Sequence, residues 1–88
     1  MTTDLEIRRR RALYRAEHRG TKEMDLVLGP YAKAKLAAMS EAELAAFEGL
    51  LLEPDPELQD MVFGARTPEA NIADLIQAIR TFHGLKAN

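Results

Sequence analysis

Apolar residues recur every three or four positions along most of the chain, which is the spacing of one face of an α-helix. No segment alternates with a period of two over the length of a strand. Three stripes are clear, and their members are Met24, Val27, Leu28 and Tyr31, then Leu44, Phe47, Leu50 and Leu51, then Ile72, Leu75, Ile76, Ile79 and Phe82. The pattern predicts an all-α fold.

Two weaker patterns complete the set of helices. Before the first stripe, the residues that fall near one helical face are Ile7, Arg11, Tyr14 and His18, with Ala12 and Leu13 beside them. A short helix that contains Leu58, Met61 and Val62 is predicted between the second and third stripes. We therefore expect a compact five-helix bundle that forms a single domain over residues 5–84, with flexible tails at 1–4 and 85–88.

Several short signals predict where these helices begin. Ser40 and Glu43 have the spacing of a capping box, in which each side chain accepts a hydrogen bond from the other residue's amide. Asp55-Pro56 and Thr67-Pro68 both read as a capping residue followed by proline in the first turn. We expect helices to start at all three places.

Glycine and proline predict the ends. Gly64 and Gly84 follow apolar stripes and suit the left-handed position after a helix. Pro54 is expected to stop the third helix. Gly29-Pro30 lies inside the second stripe, and we expect a kink or break there because proline removes one backbone donor and crowds the preceding turn.

The composition narrows the function classes. The chain has 88 residues and no cysteine, which excludes disulfides and cysteine metal sites. Its longest apolar runs are four residues, too short to span a membrane. Neither His18 nor His83 has a partner at a metal-ligand spacing, and the single serine, Ser40, is explained by capping. We expect no enzyme activity, no metal and no stably bound cofactor, and we expect the four buried-stripe residues Met24, Met39, Met61 and Tyr31 to belong to the core.

Charge is unevenly distributed along the chain. Residues 1–22 hold seven Arg or Lys against three Asp or Glu, whereas residues 41–74 hold nine acids against one arginine. The run Arg8–Arg11 therefore has three interpretations: a solvated helix face folded over the acidic middle, a protein-binding surface, or a nucleic-acid contact. The acidic middle argues against nucleic acid, whose binding proteins are usually basic overall.

The segment HRGTKEMD, residues 18–25, joins the first two predicted helices. If Gly20 is the N-cap, Glu23 stands at the third helical position, where a carboxylate meets free amides. Capping does not explain Arg19, whose guanidinium is a rigid fork suited to carboxylates and carbonyls on another surface. The corner therefore has two interpretations: it is simply the start of the second helix, or it is a docking feature for a partner. The second interpretation requires Arg19 and Glu23 to face outward.

An ordered series of residues resembles the succinate dehydrogenase FAD assembly factors, which are small proteins with an R-G-x-x-E motif. The series comprises R-x-L-Y-R at 11–15, R-G-x-x-E-x-D-L-x-L at 19–28, M-S-E-x-E-L-x-x-F at 39–47 and L-L-E-P-D-P-E-L at 51–58. The resemblance extends over about residues 8–83. It departs from the pattern at Met61, where many relatives carry tryptophan.

The resemblance implies a five-helix fold and a chaperone function. Such a factor binds the flavoprotein subunit of succinate dehydrogenase, and in some bacteria that of fumarate reductase, and promotes covalent attachment of the partner's FAD. It implies that Arg19, Gly20 and Glu23 lie at the flavoprotein contact, with Asp25 a further family position. Tyr14 and Arg15 match on the preceding helix, as packing or contact residues. We expect a monomer in the bacterial cytoplasm rather than the mitochondrial matrix. The alternative to the chaperone function is a nucleic-acid-binding module that uses Arg8–Arg11.

Overall fold

A computed structural model describes residues 3–85, and every regular element in that range is helical. The five predicted α-helices are confirmed, and a short 3₁₀ turn that was not predicted follows the second. The elements are α1 (Asp4–Glu17), α2 (Lys22–Lys35), the 3₁₀ turn (Leu36–Ala38), α3 (Glu41–Leu51), α4 (Asp55–Val62) and α5 (Ala73–Phe82). Helix α1 packs on α2 and α3, while α5 packs on α2 and α4.

One hydrophobic core joins all five helices. The largest fully buried side chains are Phe47, Met24, Leu28, Leu44, Leu50, Leu58, Ile76, Ile79 and Val62. Met24, Met39, Met61 and Tyr31 are all buried, as predicted. Met61 is only 3% exposed, so its unbranched thioether lies within the core.

Three of the four residues that were predicted to share one face of α1 are exposed to solvent. Tyr14 is 64% exposed, and Arg11 and His18 are exposed with it. The fully buried residues of α1 are Ala12 and Ala16, and Leu5 and Leu13 are partly buried against the same core. Helices α1 and α2 approach closely at Gly29, where an added Cβ atom would lie 3.4 Å from Glu17 Cγ and 3.6 Å from Glu17 Cα.

Helix α2 continues through Gly29-Pro30, so the predicted break is wrong. Proline costs one backbone hydrogen bond, a penalty of about 3 kcal/mol in a helix interior. Val27, Leu28 and Tyr31 lie on both sides of the proline and all enter the same core. Their burial holds the two halves of the helix together and offsets the lost bond.

Most of the predicted helix ends are confirmed. The capping box is formed, with the Ser40 hydroxyl accepting from the Glu43 amide and the Glu43 carboxylate accepting from the Ser40 amide. Gly64 and Gly84 have φ angles of 85° and 73° after α4 and α5. After Gly84, the Leu85 amide bonds back to the Arg80 carbonyl, which completes a Schellman motif.

The Thr67-Pro68 start is wrong, because α5 begins at Ala73. A turn closed by a hydrogen bond from the Ile72 amide to the Glu69 carbonyl precedes the helix. Ile72 is buried, and this turn places its side chain in the core just before the helix begins. Of the predicted tails, Asp4 opens α1 and Leu85 packs against the core, while residues 1–2 and 86–88 lie outside the described range.

The arginine run is partly folded over the acidic middle. Arg8 donates to Glu48 at 2.6 Å and to Glu41 at 3.3 Å, and Arg9 donates to the Met39 carbonyl at 2.9 Å. The hydrogen bond from Arg8 holds the pKa of Glu48 below its ordinary value. Two of the four arginines are thus used within the chain. Among the described residues, none of the helices has the length and apolar character needed to span a bilayer.

Candidate functional site

The corner between α1 and α2 begins at His18 and ends at Thr21. Thr21, not Gly20, caps α2: its hydroxyl accepts a hydrogen bond from the Met24 amide at 3.3 Å. The predicted cap is therefore wrong by one residue, and Glu23 stands at the second helical position, where its charge still favours the positive end of the helix dipole. A threonine hydroxyl provides an acceptor that glycine lacks, which explains the shift.

Arg19 is held by three groups of the α3–α4 segment. Its Nε donates to Asp55 Oδ1 at 2.7 Å, Nη1 donates to the Leu51 carbonyl at 2.6 Å, and Nη2 donates to the Glu53 carbonyl at 2.7 Å. The side chains of Arg19 and Asp55 are only 11% and 13% exposed. The expectation that this guanidinium faces outward is wrong. The expected chemistry, a fork that binds a carboxylate and carbonyls, is present but lies within the same chain.

Gly20 completes this arrangement. We call the contacts of Arg19 and Gly20 with residues 51–55 the Arg19 clamp. The Gly20 amide donates to Asp55 Oδ2 at 3.0 Å, so each oxygen of one carboxylate holds one residue of the motif. A Cβ atom at position 20 would lie 3.3 Å from the same Oδ2. Glycine therefore allows the corner to approach Asp55.

Asp25 and Asp55 serve the corner from opposite sides. The Asp25 carboxylate accepts a hydrogen bond from the Arg19 amide, which ties the first turn of α2 to the loop before it. Asp55 was predicted to cap α4, but it is the first helical residue after Pro54 and makes no capping bond, because Arg19 and Gly20 occupy its oxygens. Its role at the site was missed, since the contact spans 36 positions.

The other candidate residues are on the surface. Glu23 is exposed, and its carboxylate makes no hydrogen bond or ion pair with any residue in the described range 3–85. Tyr14 and Arg15 are also exposed. The Tyr14 ring stacks on His18 with centroids 4.1 Å apart, and His18 Nδ1 bonds to the Tyr14 carbonyl at 2.8 Å. The structure thus separates the predicted site into a partly buried clamp and an exposed group.

An open groove of about 450 Å³ lies between the end of α1 and the α3–α4 turn. Helix α1 and the corner contribute Tyr14, Arg15, His18 and Arg19, and the turn contributes Leu52 and Asp55. Leu52 is 78% exposed. We call this feature the corner groove. Its mixture of apolar and cationic side chains is suited to binding another surface.

The chemistry available here is that of recognition. Within residues 3–85 there is no group of three or more histidine, aspartate or glutamate side chains placed to hold a metal ion. The only hydroxyl side chain at the corner, Thr21, is used as a cap. The exposed Tyr14 and Arg15 belong to residue types that are enriched at protein interfaces.

Comparison with known proteins identifies relatives of this chain. The family model described as flavinator of succinate dehydrogenase matches residues 10–83. The FAD assembly factor SdhE of Acetobacter pasteurianus is 46% identical over 61 residues, which cover 69% of this chain and 56% of that protein. The SdhE of Acinetobacter baylyi is 33% identical over 86 residues, 96% of this chain and all of that protein.

A mitochondrial protein also matches. Succinate dehydrogenase assembly factor 2 of Dictyostelium discoideum is 28% identical over 89% of this chain and 56% of its own length. The chain thus spans about half the length of two of these relatives and the whole of the third. The match to the family model covers the clamp, the exposed group and the helices that carry them. The chain belongs to the family of flavinators of succinate dehydrogenase.

Proposed function

We propose that this chain is an FAD assembly factor that binds the flavoprotein subunit of succinate dehydrogenase and promotes covalent attachment of the partner's FAD. Membership of the flavinator family is the observation that carries the proposal. The geometry of the corner supports it, because Arg19 and Gly20 hold the loop before α2 in place while Glu23 is exposed on the first turn of that helix. Nothing in the comparisons supports the nucleic-acid alternative.

The proposed mechanism is that of a chaperone and not of an enzyme. The chain holds no cofactor stably and acts on FAD bound to its partner. By binding one arrangement of the flavoprotein more tightly than others, it raises the population in which the flavin and its attachment residue are correctly placed. The magnitude of this effect is limited by the difference in affinity for the two arrangements.

The six candidate residues have different roles in this proposal. Glu23, Tyr14 and Arg15 are exposed and are proposed to contact the flavoprotein. Arg19 and Gly20 hold the corner against residues 51–55, and the Asp25 carboxylate fixes the Arg19 amide, so these three support the contact surface. The exposed cations of α1 are proposed to orient the encounter, since interfacial charges act chiefly on association rate and register.

Further parts of the proposal concern its setting. We propose that the factor acts as a monomer in the bacterial cytoplasm, and that the flavoprotein of fumarate reductase is a second partner. The relatives that support a bacterial setting are those of Acetobacter and Acinetobacter. Sedimentation of the purified chain, alone and with each flavoprotein, measures both the oligomeric state and the choice of partner.

The decisive experiment measures covalent flavin directly. The gene is deleted in a host with no other assembly factor, and the denatured flavoprotein subunit is examined for in-gel flavin fluorescence. We expect fluorescence to be lost in the deletion strain and restored by the wild-type gene. The Glu23→Gln variant is expected to restore less, whereas Glu69→Gln, which changes an exposed glutamate in the α4–α5 connection, should restore it fully. Normal covalent flavin in the deletion strain would refute the proposal.

A further inference from the structure

Leu52 is the most exposed large apolar side chain in the described part of the chain, at 78%. It lies in the α3–α4 turn, between the two residues whose carbonyls bind Arg19. A single exposed leucine on a protein surface is ordinary. This one differs because the backbone on both sides of it is fixed.

The fixation comes from four hydrogen bonds. Arg19 donates to the Leu51 carbonyl at 2.6 Å and to the Glu53 carbonyl at 2.7 Å. The Leu52 amide bonds to the Gly49 carbonyl at 3.2 Å, and the Glu53 amide bonds to the Leu50 carbonyl at 3.0 Å. Arg19 therefore holds the turn in the shape that presents Leu52. A side chain presented on a fixed backbone loses less conformational freedom on binding than one on a mobile loop.

The opposite side of the corner groove is also constrained. Tyr14 is 64% exposed, and its ring is stacked on His18 at an interplanar angle of 22°. The groove volume of about 450 Å³ is large enough for side chains of a partner segment. An apolar side chain placed between Leu52 and Tyr14 would remove both from water, which is the main driving force of association.

The charge of the groove indicates which kind of group the partner carries next to its apolar side chain. The Asp55 carboxylate is occupied by Arg19 and the Gly20 amide, so it is already matched within the chain. Arg15 is exposed at the groove, and its guanidinium makes no hydrogen bond with another residue of the range 3–85. It interacts electrostatically with Glu48, but the hydrogen bonds of that carboxylate come from Arg8. The outward charge of the groove is therefore positive, and it complements a carboxylate.

We infer that the corner groove binds a flavoprotein segment that carries an apolar side chain next to a carboxylate, with Leu52 as the apolar anchor and Arg15 as the charged contact. This inference rests on the proposed function. It also assigns the motif arginine a specific task, which is to shape the turn that displays Leu52. Arg19 then acts on the partner through Leu52.

The test compares two exposed leucines. Leu52→Gln removes the anchor, while Leu26→Gln makes the same change on α2 at a leucine that is 61% exposed and does not line the groove. Affinity for the purified flavoprotein subunit is measured by calorimetry, and the melting temperature of each variant reports folding. We expect Leu52→Gln to weaken binding about tenfold or more. Leu26→Gln is expected to stay within about twofold of wild type.

A second pair tests the charge. Arg15→Gln and Arg10→Gln remove exposed arginines that lie about 140° apart around α1. Arg15→Gln is expected to lower the association rate and to reduce its dependence on salt, and Arg10→Gln to change neither.

The outcomes separate the inference from the function on which it rests. Wild-type affinity in Leu52→Gln, or equal losses in both leucine variants, overturns the inference and leaves the proposed function standing. An unchanged association rate in Arg15→Gln overturns the charged contact. If the wild-type chain does not bind the flavoprotein at all, the proposed function fails, and the inference fails with it.

Discussion

Removal of the Asp55 carboxylate is the most direct test of the clamp. In Asp55→Ala, Arg19 Nε and the Gly20 amide lose their acceptor, while the guanidinium keeps its bonds to the carbonyls of Leu51 and Glu53. The charge of Arg19 is thus left less well compensated in a place where its side chain is only 11% exposed. The variant should fold, but with a looser corner.

The magnitude follows from the two bonds that are lost. A hydrogen bond between charged groups contributes about 1.5–3 kcal/mol, and one between an amide and a carboxylate at a more exposed site contributes about 1 kcal/mol. Loss of one partner of a fully buried ion pair costs about 3–5 kcal/mol, which sets the upper limit here because two Arg19 bonds survive. We expect the free energy of unfolding to fall by about 2–4 kcal/mol. At about 4–8 °C per kcal/mol, the melting temperature falls by about 8–32 °C.

The assay is thermal and urea unfolding of Asp55→Ala beside Asp60→Ala. Asp60 is an exposed aspartate of the same helix, and its side chain makes no hydrogen bond within the range 3–85, so its variant should stay within about 0.5 kcal/mol of wild type. A double-mutant cycle with Arg19→Ala then isolates the pair. Equal stability of the two aspartate variants, or a coupling energy below about 0.5 kcal/mol, would refute the clamp as described.

Three further predictions concern other parts of the fold. Gly49→Ala should raise the free energy of unfolding by about 0.5–1 kcal/mol in urea titrations, because the residue lies inside α3 and an added Cβ meets nothing within 4 Å; no change would contradict this. Phe47→Ala should cost about 3–5 kcal/mol in the same assay, since this side chain is fully buried. The Arg8 guanidinium lowers the pKa of Glu48, so the folded protein holds this proton less tightly than the unfolded chain. The resulting stability is present above the unfolded pKa of about 4.3 and is lost as pH falls through the folded value. Glu48→Gln should therefore flatten the acid side of a plot of melting temperature against pH, and an unchanged slope would contradict the ion pair.

The features that were predicted correctly depend on contacts close in sequence. The capping box joins Ser40 to Glu43, and Gly84 ends α5 by bonds that reach back only a few residues. The apolar stripes of α2 to α5 predict most of the buried residues, since a helix that is apolar on one face has to bury it. In the last stripe, Phe82 is 39% exposed and Leu75 is only partly buried. Local chemistry and periodicity therefore define the number of helices and most of their ends.

The features that were missed depend on packing between distant segments. The sequence shows that Arg19 suits a carboxylate and carbonyls, but it does not show that these groups come from the same chain. Similarly, the sequence left open whether Tyr14 is a packing or a contact residue, and the structure shows that its side chain is 64% exposed. In both cases the residue type indicated the chemistry of the side chain. The direction of the side chain depends on how distant segments pack, which the sequence does not show.

The two halves of the R-G-x-x-E motif carry out physically different tasks. Arg19 and Gly20 are bonded to residues 51–55, so their replacement acts on the corner itself and changes stability together with binding. Glu23 is exposed, and its carboxylate makes no hydrogen bond or ion pair with another residue of the range 3–85. Its replacement therefore leaves the fold intact and changes chiefly what the surface can bind. A loss of flavinylation in an Arg19 variant is therefore not evidence that Arg19 touches the partner. Only the combination of lost affinity with an unchanged melting temperature identifies a contact residue, and on this surface Glu23, Tyr14, Arg15 and Leu52 are the side chains whose exposure allows that combination.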